Sequence, residues 1–291
     1  MRRFMEITAS GLAGGNTRPA SLGPSTGLLG QIGGLQVRLA VTDDERTAAQ
    51  RLRYQIFIAE RGARAPDCDG GRDEDRFDAV CDHLIVIDTH RPGRDADNII
   101  GTYRLLRDDA AVRSGGFYSA SEYRIESLIA RHPCKRFLEL GRSCVLPAYR
   151  SKRTIELLWQ GIWAYCLQHD VDVMVGCASF PGVVPAAHAL PLSFLHQHAS
   201  APTEWNVAPA APDFTELDMM PVEAIDARAA LAAMPPLIKG YLRLGAKFSD
   251  FAVVDPAFGT TDVMVILPVE TISDRYVRHY GSDAGRFAPA G

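Results

Sequence analysis

The chain has 291 residues, of which 47% are hydrophobic and 23% are charged, and its formal net charge is -4. This composition is typical of a globular protein with a sizeable core, and the slightly acidic balance disfavours a nucleic-acid partner. The six cysteines show no C-x-x-C spacing, so the sequence disfavours a zinc or redox site and predicts reduced thiols in a cytoplasmic protein.

The first 34 residues are rich in Gly, Ser, Pro and Thr. Glu6 follows two arginines closely, and no apolar run of signal-peptide length comes after it, so we predict a disordered leader over 1–34. No segment approaches the ~18 consecutive apolar residues of a membrane span, and any membrane contact is therefore expected to be peripheral.

The N-terminal half alternates between strand and helix patterns. Residues 35–41 alternate apolar and polar side chains, which predicts a strand. Residues 43–62 open with acidic capping candidates and carry apolar residues at helical spacing. After a polar, Asp-rich loop, the β-branched runs 83–88 and 98–107 are typical of two paired strands.

The middle of the chain contains its strongest patterns. Residues 121–132 have helical spacing, and 136–147 form a strand-like stretch that Gly141 interrupts, which predicts a bulge or a splay. The clearest helix covers 154–170, and a buried strand at 171–180 follows it.

The C-terminal part begins with an apolar stretch at 189–199 and an Ala- and Pro-rich segment at 200–235. The apolar stretch fits a fatty-acyl tunnel or a bilayer contact, and it fits a buried helix equally well. The second segment fits an insertion or a lid. A helix at 235–246 and strands at 251–258 and 260–270 complete a pattern typical of an α/β sheet.

No internal repeat is visible, so we expect one domain over 35–281 with an insertion at about 200–235. Residues 282–291 are then a flexible tail.

Several motifs in this order resemble the ornithine N-acyltransferases that make lyso-ornithine lipid, which are relatives of the acyl-homoserine-lactone synthases in the GNAT superfamily. The resembling stretches are RLRYQIFIAERGA, Asp75-x-x-Asp78, DHLIVID, IIGTYRLLR, LELGRSCVLPAYR, LLWQGIWAY, GCASFPG, PPLIKGYLRLGA and TTDVMVIL, which together span residues 36–270. The resemblance implies a GNAT-like α/β (α+β) fold. Such a fold has a mixed central sheet, splayed between two parallel strands and flanked by helices, and the acyl donor's pantetheine arm runs through the gap.

The same resemblance implies an N-acyltransferase that moves a 3-hydroxy fatty acyl group from acyl carrier protein to the α-amine of L-ornithine. This reaction is the first step of ornithine lipid biosynthesis. No cofactor is expected beyond the phosphopantetheine arm of the donor. The resemblance also implies two further partners for the protein, which are a downstream O-acyltransferase and, through peripheral contact, the inner face of the cytoplasmic membrane. Two alternatives are an acyl-homoserine-lactone synthase that uses S-adenosylmethionine and a non-catalytic protein that binds acyl carrier protein.

Carried over residue by residue, the resemblance makes Glu139 the general base, with Arg142 as the second catalytic residue. It places a charged network beneath the substrate sites, formed by Arg53 with Phe57, Asp75 with Asp78, and Arg104. Isolated arginines on apolar elements need partners in any case, and a Glu within an apolar strand is as readily a member of a salt bridge.

The stretch PAYRSKRT replaces the glycine-rich pyrophosphate turn of the GNAT superfamily. It supplies Arg150, Lys152, Arg153 and Thr154 at the start of the helix at 154–170. A helix N-terminus favours an anion, so these residues are candidates for binding the carrier's phosphate. An ordinary solvated helix start is the alternative.

The loop with Asp67, Asp69, Asp73, Asp75 and Asp78 resembles a calcium loop at first sight. Its glycines stand at the fourth and fifth loop positions rather than the sixth, which disfavours calcium, and we expect no metal. Carboxylates of this loop could instead bind the ammonium groups of a diamino acid.

Overall fold

The computed structural model of the protein describes residues 27–64 and 70–273. Within this part of the chain there are nine strands: β1 (Leu28–Ile32), β2 (Leu35–Leu39), β3 (Asp82–Asp88), β4 (Ile99–Arg107), β5 (Phe137–Val145), β6 (Val173–Pro181), β7 (Phe214–Glu216), β8 (Lys247–Asp255) and β9 (Thr260–Pro268). The α-helices are α1 (Asp43–Arg53), α2 (Asp108–Ala111), α3 (Ile125–Arg131), α4 (Lys152–Gln168), α5 (Ala189–Ala199), α6 (Ala227–Ala233) and α7 (Pro236–Leu244).

All nine strands join one sheet in the order β1-β2-β3-β4-β5-β6-β9-β8-β7. Every neighbouring pair is antiparallel except β5 and β6, which are parallel. The mixed α/β architecture with one parallel pair at its centre confirms the fold expected from the sequence.

Two predicted boundaries differ from the structure. β1 lies inside the segment predicted to be a leader and pairs with β2, so that prediction is wrong for Leu28–Ile32. Residues 1–26 and 274–291 lie outside the described residues. The predicted helix at 43–62 is α1 followed by a π-helix at Tyr54–Glu60. Apolar spacing alone could not reveal this change of helix type.

Helix α4 packs closely on the N-terminal strands. The Ser151 side chain caps it by accepting the N–H of Thr154. A Cβ atom on Gly161 would lie 2.7 Å from a methyl group of Val37 on β2, so only glycine allows this approach. Trp159 of α4 is buried and meets Tyr241 of α7 edge to face, which supports a core role for this tryptophan.

Helix α5 corresponds to the apolar stretch at 189–199, and its Leu192 and Leu195 are fully buried in the same core as α4. The following segment at 200–235 contributes β7 to the edge of the sheet and contains α6. No helix among the residues the structure describes combines the length and the hydropathy needed to cross a membrane.

Candidate active site

The two parallel strands part in the middle of the sheet. Their pairing covers Phe137, Leu138 and Glu139 of β5 and stops there, although both strands continue for six more residues. Beyond this point β6 stays paired with β9 and β5 stays paired with β4, so the gap opens between two halves of the sheet. This is the splay that the sequence predicted near Gly141, and Glu139 marks its start.

Gly176 of β6 stands at the point of divergence. Its φ is 155°, and a Cβ atom there would lie 2.4 Å from the carbonyl oxygen of Leu140. Because no side chain fits against this carbonyl, only glycine allows the two strands to approach this closely where their pairing ends.

The other edge of β5 carries a bulge. The register against β4 shifts between Thr102, which faces Cys144, and Arg104, which faces Gly141. β5 therefore has one extra residue here, and Arg142 takes a left-handed conformation with φ 50°. The bulge turns the Arg142 side chain out of the regular alternation of the strand.

A buried charged network lies beside this bulge. Arg53 donates to Asp73 at 2.8 Å and to Asp78 at 2.6 Å, and all three side chains are almost completely buried. Arg104 pairs with Asp75 at 2.6 Å and with Asp78 at 3.3 Å. These contacts bring together four of the sequence-predicted residues and add Asp73, which the sequence suggested only as part of the loop.

Arg142 completes the network from β5. Its guanidinium lies 3.3 Å from Asp73 and 3.5 Å from Asp75, and it donates to the Tyr118 hydroxyl at 3.1 Å. It also stacks on the ring of Phe258 at 4.1 Å. Three arginines thus balance three aspartates.

Burial alone would raise the pKa of the Asp78 carboxyl, yet the positive charges of Arg53 and Arg104 outweigh burial and lower it. The carboxylate is therefore held ionised between two buried cations.

Phe57 lies behind this region in the π-helix and meets Phe258 edge to face, with ring centroids 6.0 Å apart. It supports the wall on which Arg142 stacks.

Glu139 is 4% exposed, and its carboxylate accepts the backbone N–H groups of Tyr118 at 2.7 Å and Ser119 at 2.8 Å. Burial raises the pKa of Glu139 above its ordinary value, although these N–H groups oppose the shift. A buried carboxylate with a raised pKa accepts a proton more readily than an exposed one. Glu139 forms no ion pair with the network in the part of the chain that the structure describes, which gives no support to its interpretation as a member of a salt bridge.

A cavity of about 470 Å³ lies next to these residues. Its walls come from the loop at 73–77, the turn at 118–122, Arg142, and the chain from Val253 to Phe258. The volume is that of a small-molecule site, for which about 300–1,000 Å³ is usual. The network forms one side of the cavity, and Arg142 reaches it from the parted half of β5.

A second group of carboxylates lies at the cavity, where Glu122 and Asp255 are part of its wall. The oxygen atoms of Glu122, Asp255 and Asp262 lie within 4.8 Å of one another. The sequence did not indicate any of the three: SEYR at 121–124 has the pattern of an ordinary exposed helix start, and Asp255 and Asp262 each stand alone in a strand pattern.

The predicted phosphate-binding residues are only partly free. Arg150 pairs with Glu60 at 2.7 Å and donates to a strand carbonyl, and Arg153 donates to the carbonyl of Ile32 in β1. Lys152 is the most exposed of them, and its ion pair with Glu156 is long, at 3.4 Å.

Thr154 is buried, and its N–H already has the Ser151 hydroxyl as acceptor. The four residues therefore share one helix start, but their side chains point to different partners. Their role in binding phosphate stays a prediction.

Asp67 and Asp69 of the acidic loop lie outside the described residues. Asp73, Asp75 and Asp78 pair with arginines. The role of these carboxylates in binding a diamino acid stays a prediction. Cys144, beside the bulge, is buried, and burial raises its pKa to about 12, which agrees with core packing rather than nucleophilic chemistry.

The family model of the acetyltransferase (GNAT) domain matches residues 52–160. The L-ornithine N(alpha)-acyltransferase of Rhizobium meliloti (strain 1021) is 56% identical over 273 residues, which cover 93% of this chain and 92% of that protein. The protein of the same name from Agrobacterium fabrum is 57% identical over 262 residues, 89% of each chain. Among solved structures, FeeM, an N-acyl amino acid synthase from uncultured soil microbes, has a TM-score of 0.48 and 13% identity, covering 81% of this chain and 91% of that one.

The two curated relatives extend over almost the whole chain, including β5, the network and the cavity. The chain therefore belongs to the family of L-ornithine N(alpha)-acyltransferases.

Proposed function

We propose that this protein transfers a 3-hydroxy fatty acyl group from acyl carrier protein to the α-amine of L-ornithine and so forms lyso-ornithine lipid. The names of relatives at 56% and 57% identity support the reaction class and the amine. The structural observation that carries the proposal is the parting of β5 and β6 at Glu139, next to a cavity of small-molecule size.

The parted strands are a suitable binding place for a pantetheine arm. Beyond Glu139 the facing edges of β5 and β6 no longer pair with each other, so their backbone groups are available to another extended chain. The amide groups of pantetheine have the donors and acceptors to pair with such an edge. The thioester then lies at the end of the slot, close to Glu139.

The amine attacks from the cavity side. A neutral α-amine forms a bond to the acyl carbon, the carbon–sulfur bond breaks, and no covalent enzyme intermediate is needed. Glu139 accepts the proton that the nitrogen loses and passes it to the departing pantetheine sulfur. Arg142 lines the cavity and can orient the α-carboxylate of the amino acid through charge-assisted hydrogen bonds.

The carrier itself docks at the start of α4 in this proposal. Lys152, with a side chain 91% exposed, is the cation most available to its phosphate, and Arg150 and Arg153 add positive charge nearby. The acidic surface of a carrier protein complements such a patch. Binding at the membrane surface and hand-over to an O-acyltransferase are part of the same proposed role, together with a cytoplasmic location.

The experiment incubates purified protein with 3-hydroxyacyl carrier protein and separately with ornithine, lysine, glycine or S-adenosylmethionine, and identifies products by mass spectrometry. We expect an acyl amide with ornithine. The same acyl group on coenzyme A serves as the donor control. A lactone from S-adenosylmethionine would contradict the proposal, and so would the absence of any acylated product from every amine.

A further inference from the structure

The charges around the cavity are not uniformly balanced. On one side Asp73, Asp75 and Asp78 are matched by three arginines. Glu122 and Asp255 also line or border the cavity, but neither forms an ion pair with a basic side chain anywhere in the described ranges. These two carboxyl groups therefore have hydrogen-bond contacts at most, and no basic partner among the described residues.

Glu122 and Asp262 are deeply buried, with 7% and 5% of their surfaces exposed. One oxygen of each carboxyl group, Oε2 of Glu122 and Oδ1 of Asp262, has no hydrogen-bond partner among the residues the structure describes. Burial, followed by the charge of Asp262, raises the pKa of Glu122 well above its ordinary value. Two neighbouring buried carboxylates repel each other unless a cation lies between them, so a positively charged ligand would stabilise the ionised pair.

Asp255 brings the third carboxylate. Its Oδ1 accepts the N–H groups of Ala257 and Phe258, which fixes the side chain at the end of β8. With Glu122 and Asp262 it forms a set of oxygens within 4.8 Å of one another. An alkylammonium group has three N–H donors, so one such group can donate to each carboxylate.

We propose that Glu122, Asp255 and Asp262 bind the side-chain ammonium of the amino-acid acceptor and thereby select a diamino acid. This inference rests on the proposed function and identifies the part of the site that recognises the second amine. Arg142 lies elsewhere on the cavity wall, so the cavity offers a cation for the α-carboxylate and an anionic group for the side chain. Val253 and Val254 give an apolar wall that suits the methylene groups between them.

The test compares two acceptors that differ only in this ammonium group. Ornithine and norvaline have the same carbon chain, but norvaline lacks the side-chain amine. With the same acyl carrier protein donor, we expect the kcat/KM of the parent protein to be at least about 100-fold higher for ornithine, because a site built around buried polar groups rejects an analogue that leaves them unpaired.

In Glu122→Gln the ratio of kcat/KM for ornithine to norvaline should fall to within about 10-fold, with norvaline turnover retained. Asp262→Asn should reduce the same ratio and provides a second variant. Glu270→Gln is the control, because Glu270 does not line the cavity and forms an exposed pair with Lys135 at 3.3 Å. Its ratio should equal that of the parent.

Binding without the donor gives an independent measurement. Ornithine alone should raise the melting temperature of the parent protein, whereas norvaline should not. Ornithine should also leave the melting temperature of Glu122→Gln unchanged. If Mg²⁺ or Ca²⁺ alone stabilises the parent but not Glu122→Gln, and the acceptor ratio does not change, the three carboxylates are a metal site and the inference is wrong.

Failure of the inference and failure of the proposed function are distinguishable. If the parent acylates ornithine and norvaline equally, the transferase function stands and the ammonium site is wrong. If it acylates neither, nor any other amine, the proposed function itself is wrong.

Discussion

The charge of Asp78 is expected to be a principal contributor to the stability of this fold. Its carboxylate accepts hydrogen bonds from Arg53 at 2.6 Å, from Arg104 at 3.3 Å and from the N–H of Asp75 at 2.9 Å. The substitution Asp78→Asn keeps the size of the side chain but removes the negative charge. Arg53 and Arg104 then stay buried with one carboxylate fewer between them.

Removing one partner of a buried ion pair costs about 3–5 kcal/mol. Because asparagine retains one oxygen acceptor, we expect the lower end, about 3 kcal/mol. For a domain of this size each kcal/mol lowers the melting temperature by roughly 2–4 °C, so Asp78→Asn should melt about 6–12 °C below the parent at pH 7.5. Thermal melting followed by circular dichroism measures this difference.

The sign of the pH dependence follows from the lowered pKa of Asp78. Its stabilising contribution is present above the pKa of the unfolded chain, ordinarily 3.8, and is lost as the pH falls through the still lower folded value. The difference in melting temperature between parent and variant should therefore persist from about pH 5 to about pH 8 and shrink below about pH 4.

Glu270→Gln is the control, since it removes the same charge from an exposed pair with Lys135. Surface pairs of this kind contribute about 0–1 kcal/mol, so its melting temperature should lie within about 2 °C of the parent. If Asp78→Asn also melted within about 2 °C of the parent, the view of the network as a set of mutually dependent buried charges would be refuted.

The remaining predictions concern catalysis, carrier binding and the acidic site. Glu139→Gln should keep the fold and lower kcat by about 100-fold or more in steady-state assays with saturating ornithine, and an unchanged kcat would exclude Glu139 as the base. Charge reversal at Arg150 and Arg153 should raise KM for acyl carrier protein, and the parent's KM should rise with salt; a KM insensitive to both would leave an ordinary solvated helix start. Burial raises the pKa of Asp262 to about 6, so its ionisation destabilises the ligand-free fold at pH 8. Asp262→Asn should therefore melt above the parent at pH 8 but not below about pH 4, and equal melting at both would contradict this cause.

The charged network illustrates what a sequence can predict about a site. Arg53, Arg104 and Arg142 stand on elements whose neighbours are apolar, and a buried guanidinium requires a carboxylate partner. The motifs then indicated Asp75 and Asp78 as partners, and the structure brings all five together. The need for carboxylate partners followed from burial, whereas the identity of the partners came from the resemblance to a known family.

Asp73 and Glu122 show where such reasoning stops. Asp73 stands in a polar loop with several other aspartates, and only the tertiary approach of Arg53 distinguishes it from them. Glu122 follows a serine at what resembles a helix start, where acidic residues are normally exposed. A short 3₁₀ turn and the bridge between Tyr123 and Pro209 instead direct this segment inward, and that pairing joins residues far apart in the sequence.

The phosphate-binding patch depends on the same long-range information. Arg153 was expected to face solvent and an incoming anion, but its guanidinium donates to the carbonyl of Ile32. Ile32 belongs to β1, which the Gly- and Ser-rich composition around it concealed. The carbonyl groups of this strand offer acceptors to the long side chains at the start of α4, and a side chain that donates to them is oriented by the strand. For this reason the patch, unlike the network, needs a direct binding experiment.

The geometry of β5 unites the two halves of the proposed mechanism. On one edge the strand separates from β6 immediately after Glu139, where Gly176 leaves room for the carbonyl of Leu140. On the other edge the bulge at Gly141 gives Arg142 its left-handed conformation and directs it to the cavity. Since both features lie within four consecutive residues, the same piece of backbone positions both the proposed donor slot and the proposed amine site. A change that straightens the bulge should therefore affect donor and acceptor binding together.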